Sequence, residues 1–370
     1  MSDIKPENYP HLLDEKVHLL RQRFGSLLSE EALPDGIAIF ASPPLNYRMR
    51  AEFRIWHDGD TCHYAMYRQG ENNKPYIIDT FPQGSPTITR LMPELLSALN
   101  ASDDLKRRLF CVEFLTTKTG DALITLIYHR RLDDTWREPA QQLAEQLGCE
   151  LIGRSRKVKI VIGRDYVVEQ LSVADDSYIY QQVETGFTQP NALINEHMLS
   201  WAKQQCQQYN LPDQHDLLEL YCGNGNFTIA LADAFRNVLA TEVSKLSVRS
   251  AQYNLQANTI DNVTLVRMSS EELSQAFAGV RPFRRLRDID LDSYQFNTVL
   301  VDPPRAGLDT GTLALIQRFE TIVYISCNPQ TLLNNLHSLG TTHHIAAFAV
   351  FDQFPYTPHL ECGVILRRTT

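Results

Sequence analysis

Between residues 10 and 24 the apolar positions Leu13, Val17, Leu20 and Phe24 recur every three or four residues, and Gly25 closes the run, so the spacing predicts a helix. From Asn46 to His57 the period changes to two. Tyr47, Met49, Ala51, Phe53 and Ile55 share one face, while Arg48, Arg50, Glu52 and Arg54 share the other. Asp58-Gly59-Asp60 turns this strand, and Cys62–Arg68 returns as a second. Leu109–Thr116 and Ala122–His129 form another hairpin around Thr119-Gly120. A helix is expected over 136–147, and Cys149–Ile162 reads as two further strands carrying Arg154, Arg156, Lys157 and Lys159. Residues 46–175 thus read as an α+β region, preceded by a helical segment (1–45) expected to pack on the C-terminal domain.

Beyond about residue 176 strands and helices alternate. Strands are expected at Leu217–Tyr221, Val238–Thr241, Val263–Arg267, Asn297–Val301, Thr321–Ser326, Ile345–Phe351 and Gly363–Leu366. Such alternation predicts an α/β domain over 176–370, Rossmann-like, with a mainly parallel seven-stranded sheet. Ligands of such sheets bind at the carboxyl ends of the strands.

Composition narrows the function classes. A length of 370 residues is more than one core usually organises. The net charge of −9 means that any nucleic-acid footprint must come from local basic clusters. The seven cysteines are scattered and no CxxC occurs, which argues against a disulfide framework, a structural zinc site or an iron–sulfur cluster, and no metal is expected. No apolar run reaches the roughly 18 residues of a membrane span, and the polar start MSDIKPENYPHLLDEK does not resemble a secretory leader. A cytoplasmic protein with no membrane contact and no obligate protein partner is expected.

Asp216–Asn226 runs from a buried strand into a glycine-rich turn and on to a helix. Gly223 and Gly225 let the backbone approach a ligand closely. A dinucleotide loop wants a third glycine near Phe227 or Thr228; an acid four places before the first glycine fits a nucleoside-methionine cofactor better. Glu242, ending the next strand, is placed to accept both ribose hydroxyls, or else stands as an acid at a helix N-terminus. Ser269 and Glu271 are weaker candidates for the adenine. Asp302-Pro-Pro-Arg305 ends the fourth strand in a stiff, open turn.

Cys327 follows the fifth strand, just before Pro329 opens a helix. A lone cysteine is usually a small buried hydrophobe, but a helix N-terminus favours the thiolate. Glu361 opens the last strand; if that strand runs antiparallel, its start lies at the same rim as Cys327. His359 is a rival base. A thiol and a carboxylate in one pocket suit alkylation of a pyrimidine at carbon 5. Thiolate addition at carbon 6 makes carbon 5 nucleophilic, and a base then removes the carbon-5 proton so the thiol can leave. A base stacked in RNA must first be extruded. Phe187 offers it a stacking face, and Asn191 and Arg305 are further candidates for substrate binding.

FTQPN, LLELYCGNGNF, DPPRAGL, YISCNP and DQFPYTPHLECG occur in this order, and with NYRMRAEFRIW the chain resembles the bacterial RNA uracil-C5 methyltransferases over most of its length. The resemblance implies a class I methyltransferase domain using S-adenosylmethionine. It implies Gln189, Tyr221, Asn226, Glu242 and Asp302 as cofactor contacts, Cys327 as nucleophile and Glu361 as base. Without an iron–sulfur cysteine cluster, the chain looks like the tRNA branch, which methylates uridine 54 in the T-arm and also the T-loop-like uridine of tmRNA. A ribosomal-RNA enzyme, or a tRNA-binding or folding module, are the alternatives. Arg48 and Arg50 are expected to meet RNA phosphates.

Overall fold

The computed structural model describes residues 4–67, 75–209 and 213–369. The expected end of the second strand, at Arg68, lies outside the described residues. The first helix, α1 (Tyr9–Phe24), turns Tyr9, Leu13, Val17, Leu20 and Phe24 inward as its spacing predicts. It leads to a short strand, β1 (Ile37–Phe40).

The N-terminal sheet is built from β2 (Arg50–Asp58), β3 (Thr61–Met66), β4 (Tyr76–Ile77), β5 (Leu109–Thr116), β6 (Ala122–Tyr128), β7 (Glu150–Ser155) and β8 (Val158–Ile162). Its order is β4-β3-β2-β5-β6-β7-β8. All pairs are antiparallel except β6–β7. The helices α2 (Pro86–Ala101), α3 (Asp103–Lys106) and α4 (Arg137–Leu147) cover one face, burying Leu91, Leu95, Leu143 and Trp136 against Phe53, Phe114 and Ile124.

A hairpin follows, β9 (Tyr166–Val173) and β10 (Asp176–Val183), paired residue for residue. The boundary expected between residues 175 and 176 would cut this hairpin at its turn.

The catalytic domain contains α5 (Ala192–Tyr209), β11 (Asp216–Leu220), α6 (Asn226–Leu231), β12 (Val238–Glu242), α7 (Lys245–Ala257), β13 (Val263–Arg267), α8 (Ser270–Phe277), β14 (Phe296–Val301), α9 (Thr310–Ile316), β15 (Thr321–Ser326), α10 (Pro329–Leu339), β16 (His343–Phe351) and β17 (Glu361–Arg368). All seven expected strands are present, β17 antiparallel to both neighbours. The sheet has eight strands, not seven, because β1 adds in parallel to the outer edge of β16, giving β1-β16-β17-β15-β14-β11-β12-β13. Helices α1, α8, α9 and α10 pack on one face of this sheet, α5 and α6 on the other.

Candidate active site

The strands β11, β12, β14 and β15 are parallel and end along one rim, where a cavity of about 940 Å³ opens. Every residue of β11 is buried, so the chain must leave the sheet sharply. Tyr221 does so with φ +62°, Gly223 and Gly225 follow at +57° and +83°, and α6 begins at Asn226. The Tyr221 conformation is one that side chains disfavour. The Tyr221 hydroxyl accepts a hydrogen bond from Ser270 Oγ at 2.6 Å.

Glu242 is pinned by two backbone amides: Gly223 N–H donates to Oε2 (3.1 Å) and Ser244 N–H to Oε1 (2.6 Å). A carboxylate so fixed keeps lone pairs for the paired hydroxyls of a ribose. Asn226 and Asn195 exchange reciprocal amide bonds of 2.8 and 2.9 Å. Gln189 accepts from Gln353 Nε2 at 3.0 Å. These residues all line the cavity except Ser244 and Gln353, and Met268, Leu308 and Phe227 supply apolar walls.

Strand register brings the expected nucleophile and base together. Ser326 of β15 pairs with Cys362 of β17, so Cys327, one step on, faces Glu361, one step back. Both line the cavity, as do Asp302, Arg305 and Phe187, the last 74% exposed. Asn328 caps α10 with its side chain and donates to the Arg305 carbonyl at 3.0 Å, tying the Asp302–Arg305 turn to the cysteine's strand end. His359 is exposed and lies outside the cavity lining.

The electrostatics differ from the expectation that a helix N-terminus would lower the thiol's pKa. Burial, together with the carboxyls of Glu361 and Asp302, raises Cys327 to about 11, and Arg305 offsets this only in part. Glu361 is pushed up to about 8, first by burial and then by Asp302. Burial alone lifts Asp302 to about 7. Carboxyls held this way in a cavity with little cationic compensation suit a positively charged ligand. The sulfonium of S-adenosylmethionine is such a cation, and the ribose acceptor and apolar walls fit its nucleoside.

Three of the expected substrate contacts, Asn191, Arg48 and Arg50, do not line the cavity. Asn191 is fully buried: its Oδ1 accepts from Ile194 N–H at the start of α5, and its Nδ2 donates to Ser42 Oγ. It holds the loop's backbone and does not reach the cavity. Arg50 donates to the carbonyls of Gly186 (2.8 Å) and Glu184 (2.6 Å), bracing the loop that carries Phe187. Arg48 precedes β2 and bonds the Arg50 carbonyl, with its guanidinium 6.0 Å from the Phe354 ring centre. Arg154 and Lys159 are both paired with Glu184. Arg156 and Lys157 are exposed, and Arg54 sits over Phe110 at 4.1 Å. The even spacing of arginines showed a shared face, but carbonyls brought in from residues 184–186 are invisible to it. Among the described residues no group of three or more His, Cys, Asp or Glu is placed to hold a metal.

A family model described as tRNA (uracil-5-)-methyltransferase matches residues 8–369. The chain belongs to that family. It is 55% identical over 365 residues to a tRNA/tmRNA (uracil-C(5))-methyltransferase of Teredinibacter turnerae, covering 98% of each chain. Proteins of the same description from Vibrio vulnificus and Pseudomonas putida are 52% and 54% identical, the first over 99% of this chain and 98% of its own, the second over 98% of each. The crystal structure of Pyrococcus abyssi tRNA (uracil-54, C5)-methyltransferase in complex with S-adenosyl-L-homocysteine shares the fold, with a TM-score of 0.68 at 20% identity over 96% of this chain and 83% of that one.

Glu242→Ala removes the pinned acceptor without touching the sheet. The expected result is cofactor binding weakened about ten- to a hundredfold, the loss of a charged hydrogen-bond partner, with tRNA binding little changed. Calorimetry with S-adenosyl-L-homocysteine, which lacks the sulfonium charge, isolates the ribose contribution; unchanged affinity would remove Glu242 from the cofactor site.

Proposed function

We propose that this enzyme transfers a methyl group from S-adenosylmethionine to carbon 5 of uridine 54 in the tRNA T-loop, and to the equivalent uridine of tmRNA, through a covalent adduct on Cys327. The observation that carries this reading is the register that sets Cys327 opposite Glu361 in one cavity. Bound cofactor supplies an electrophilic methyl group. Cys327 Sγ adds to carbon 6 of the extruded uracil, and the electron pair moves through carbon 5 to the methyl carbon, whose bond to the sulfonium sulfur would break to leave S-adenosylhomocysteine. Glu361 removes the carbon-5 proton, the carbon 5–carbon 6 double bond re-forms, and the thiolate leaves. With a pKa near the working pH, Glu361 is matched to that proton. Phe187 is placed to stack on the extruded base, with Arg305 beside the reacting pair. Arg156 and Lys157, both exposed, offer positive charge at the surface for phosphates.

The reading places the protein in the cytoplasm, with tRNA; no helix among the described residues is long and apolar enough to cross a membrane. The test is mass spectrometry of nuclease digests after incubation with unmodified tRNA, a T-arm stem-loop and ribosomal-RNA fragments. Methylation of the first two at the T-loop uridine is expected. Methylation confined to the ribosomal fragments would overturn the assignment.

A further inference from the structure

The loop between β16 and β17, residues 352–360, delivers Glu361 to the cavity and lends Phe354 to its wall. Both feet of this loop are held from outside the catalytic domain's own sequence. Lys16 of α1 is only 9% exposed in its side chain. Its ammonium donates to Asp352 Oδ1 (2.8 Å), to the Phe354 carbonyl (3.0 Å) and to the His359 carbonyl (3.3 Å). Three acceptors use all three donors of the group, and they span the loop from its first residue to two residues before Glu361. Asp352 is fully buried, and its Oδ2 accepts from the Tyr9 hydroxyl at 2.9 Å, which itself accepts from Ser42 N–H at 2.8 Å. Two tyrosines repeat the pattern: Tyr47 donates to the Pro355 carbonyl and Tyr356 to the Pro44 carbonyl.

Attachment of α1 does not need this ion pair. Its apolar stripe already buries Leu13, Val17, Leu20 and Phe24 against the sheet. A buried ion pair is a poor source of net stability compared with apolar packing, but it fixes geometry. Here it fixes the loop that positions the base.

We propose that Lys16 and Asp352 form a latch that positions Glu361 for removal of the carbon-5 proton, so that they act on resolution of the covalent adduct and not on its formation. The proposal rests on the reading of Glu361 as that base. Lys16 and Asp352 are positioning residues; neither lines the cavity.

The test compares Lys16→Met, Lys16→Arg, Asp352→Asn and the double variant Lys16→Met/Asp352→Asn with wild type and Glu361→Gln, on full-length enzyme with tRNA transcript. Single-turnover methyl transfer into the adduct, steady-state turnover and melting temperature are measured together. The single variants are expected to methylate RNA in the first turnover at near wild-type rate. They are then expected to accumulate methylated adduct, with turnover reduced on the order of 10–100-fold by misplacement of the base. Lys16→Arg is expected to recover part of that turnover. The double variant leaves no unpaired charge, so its melting temperature is expected to recover while its turnover stays low. A double variant that turns over like wild type, or losses that follow melting temperature with no adduct accumulating, would overturn the latch. If Glu361→Gln itself accumulates no adduct, it is the base assignment that fails; if it does and the latch variants do not, only the latch fails.

Discussion

Cys327→Ala is expected to reduce methyl transfer to background and to abolish the denaturation-resistant complex that wild type forms with RNA carrying 5-fluorouridine. Fluorine at carbon 5 cannot leave as a proton does, so the adduct is trapped once alkylated. An adduct formed by Cys327→Ala would assign the nucleophile elsewhere. The same reaction has a pH signature. With the free thiol near 11, the reactive thiolate is on the order of one part in 10⁴ at pH 7, and alkylation of Cys327 by a small haloacetamide is expected to rise about tenfold per pH unit below that value. A cationic analogue of the cofactor, seated beside Asp302 and Glu361, favours the thiolate and is expected to shift the profile to lower pH. A flat profile, or one unmoved by the analogue, contradicts the electrostatic account.

Glu361→Gln separates the two halves of the reaction. The amide is nearly isosteric and cannot take a proton, so addition and methyl transfer are expected to proceed while release slows on the order of 10²–10⁴-fold. Methylated RNA bound to protein is expected in denaturing gels and by mass spectrometry of the tryptic Cys327 peptide. In wild type, release is expected to quicken as pH rises towards about 8, where Glu361 gives up its own proton, and to level off above it. Fast turnover by Glu361→Gln would pass the role to another group.

Seven strands of the catalytic sheet were legible because most are short apolar runs between helical patterns, and buried parallel strands carry their signal locally. The Cys327–Glu361 pair was legible for a related reason: once β17 is antiparallel, the end of one strand and the start of the other must share a rim. What escaped was non-local. The strand β1, Ile-Ala-Ile-Phe, has four residues, three of them only partly buried, and its partner is β16 near the far end of the chain. In β9 the alternation is broken because Glu169 sits on the buried face, accepting from the Lys118 and Gln170 amides. The thiol's pKa is raised by burial and then by carboxyls from two other strand ends. The arginine row was read correctly as a face, but the carbonyls that engage Arg50 come from a loop more than a hundred positions away.

The edge strand β1 also bears on how the chain is made. Residues 4–40 are synthesised long before β16 and β17, the strands against which β1 and α1 settle. Among the described residues the strands of the N-terminal sheet pair only with one another, so their pairing does not wait for β16 and β17. Throughout that interval the apolar stripe of α1 has nothing to cover it, and closing so long a loop is the slow, costly kind of contact. Synthesis of β16 and β17 therefore closes the sheet for two distant stretches of chain at once, and until then α1 and β1 wait for partners encoded on the far side of the N-terminal sheet.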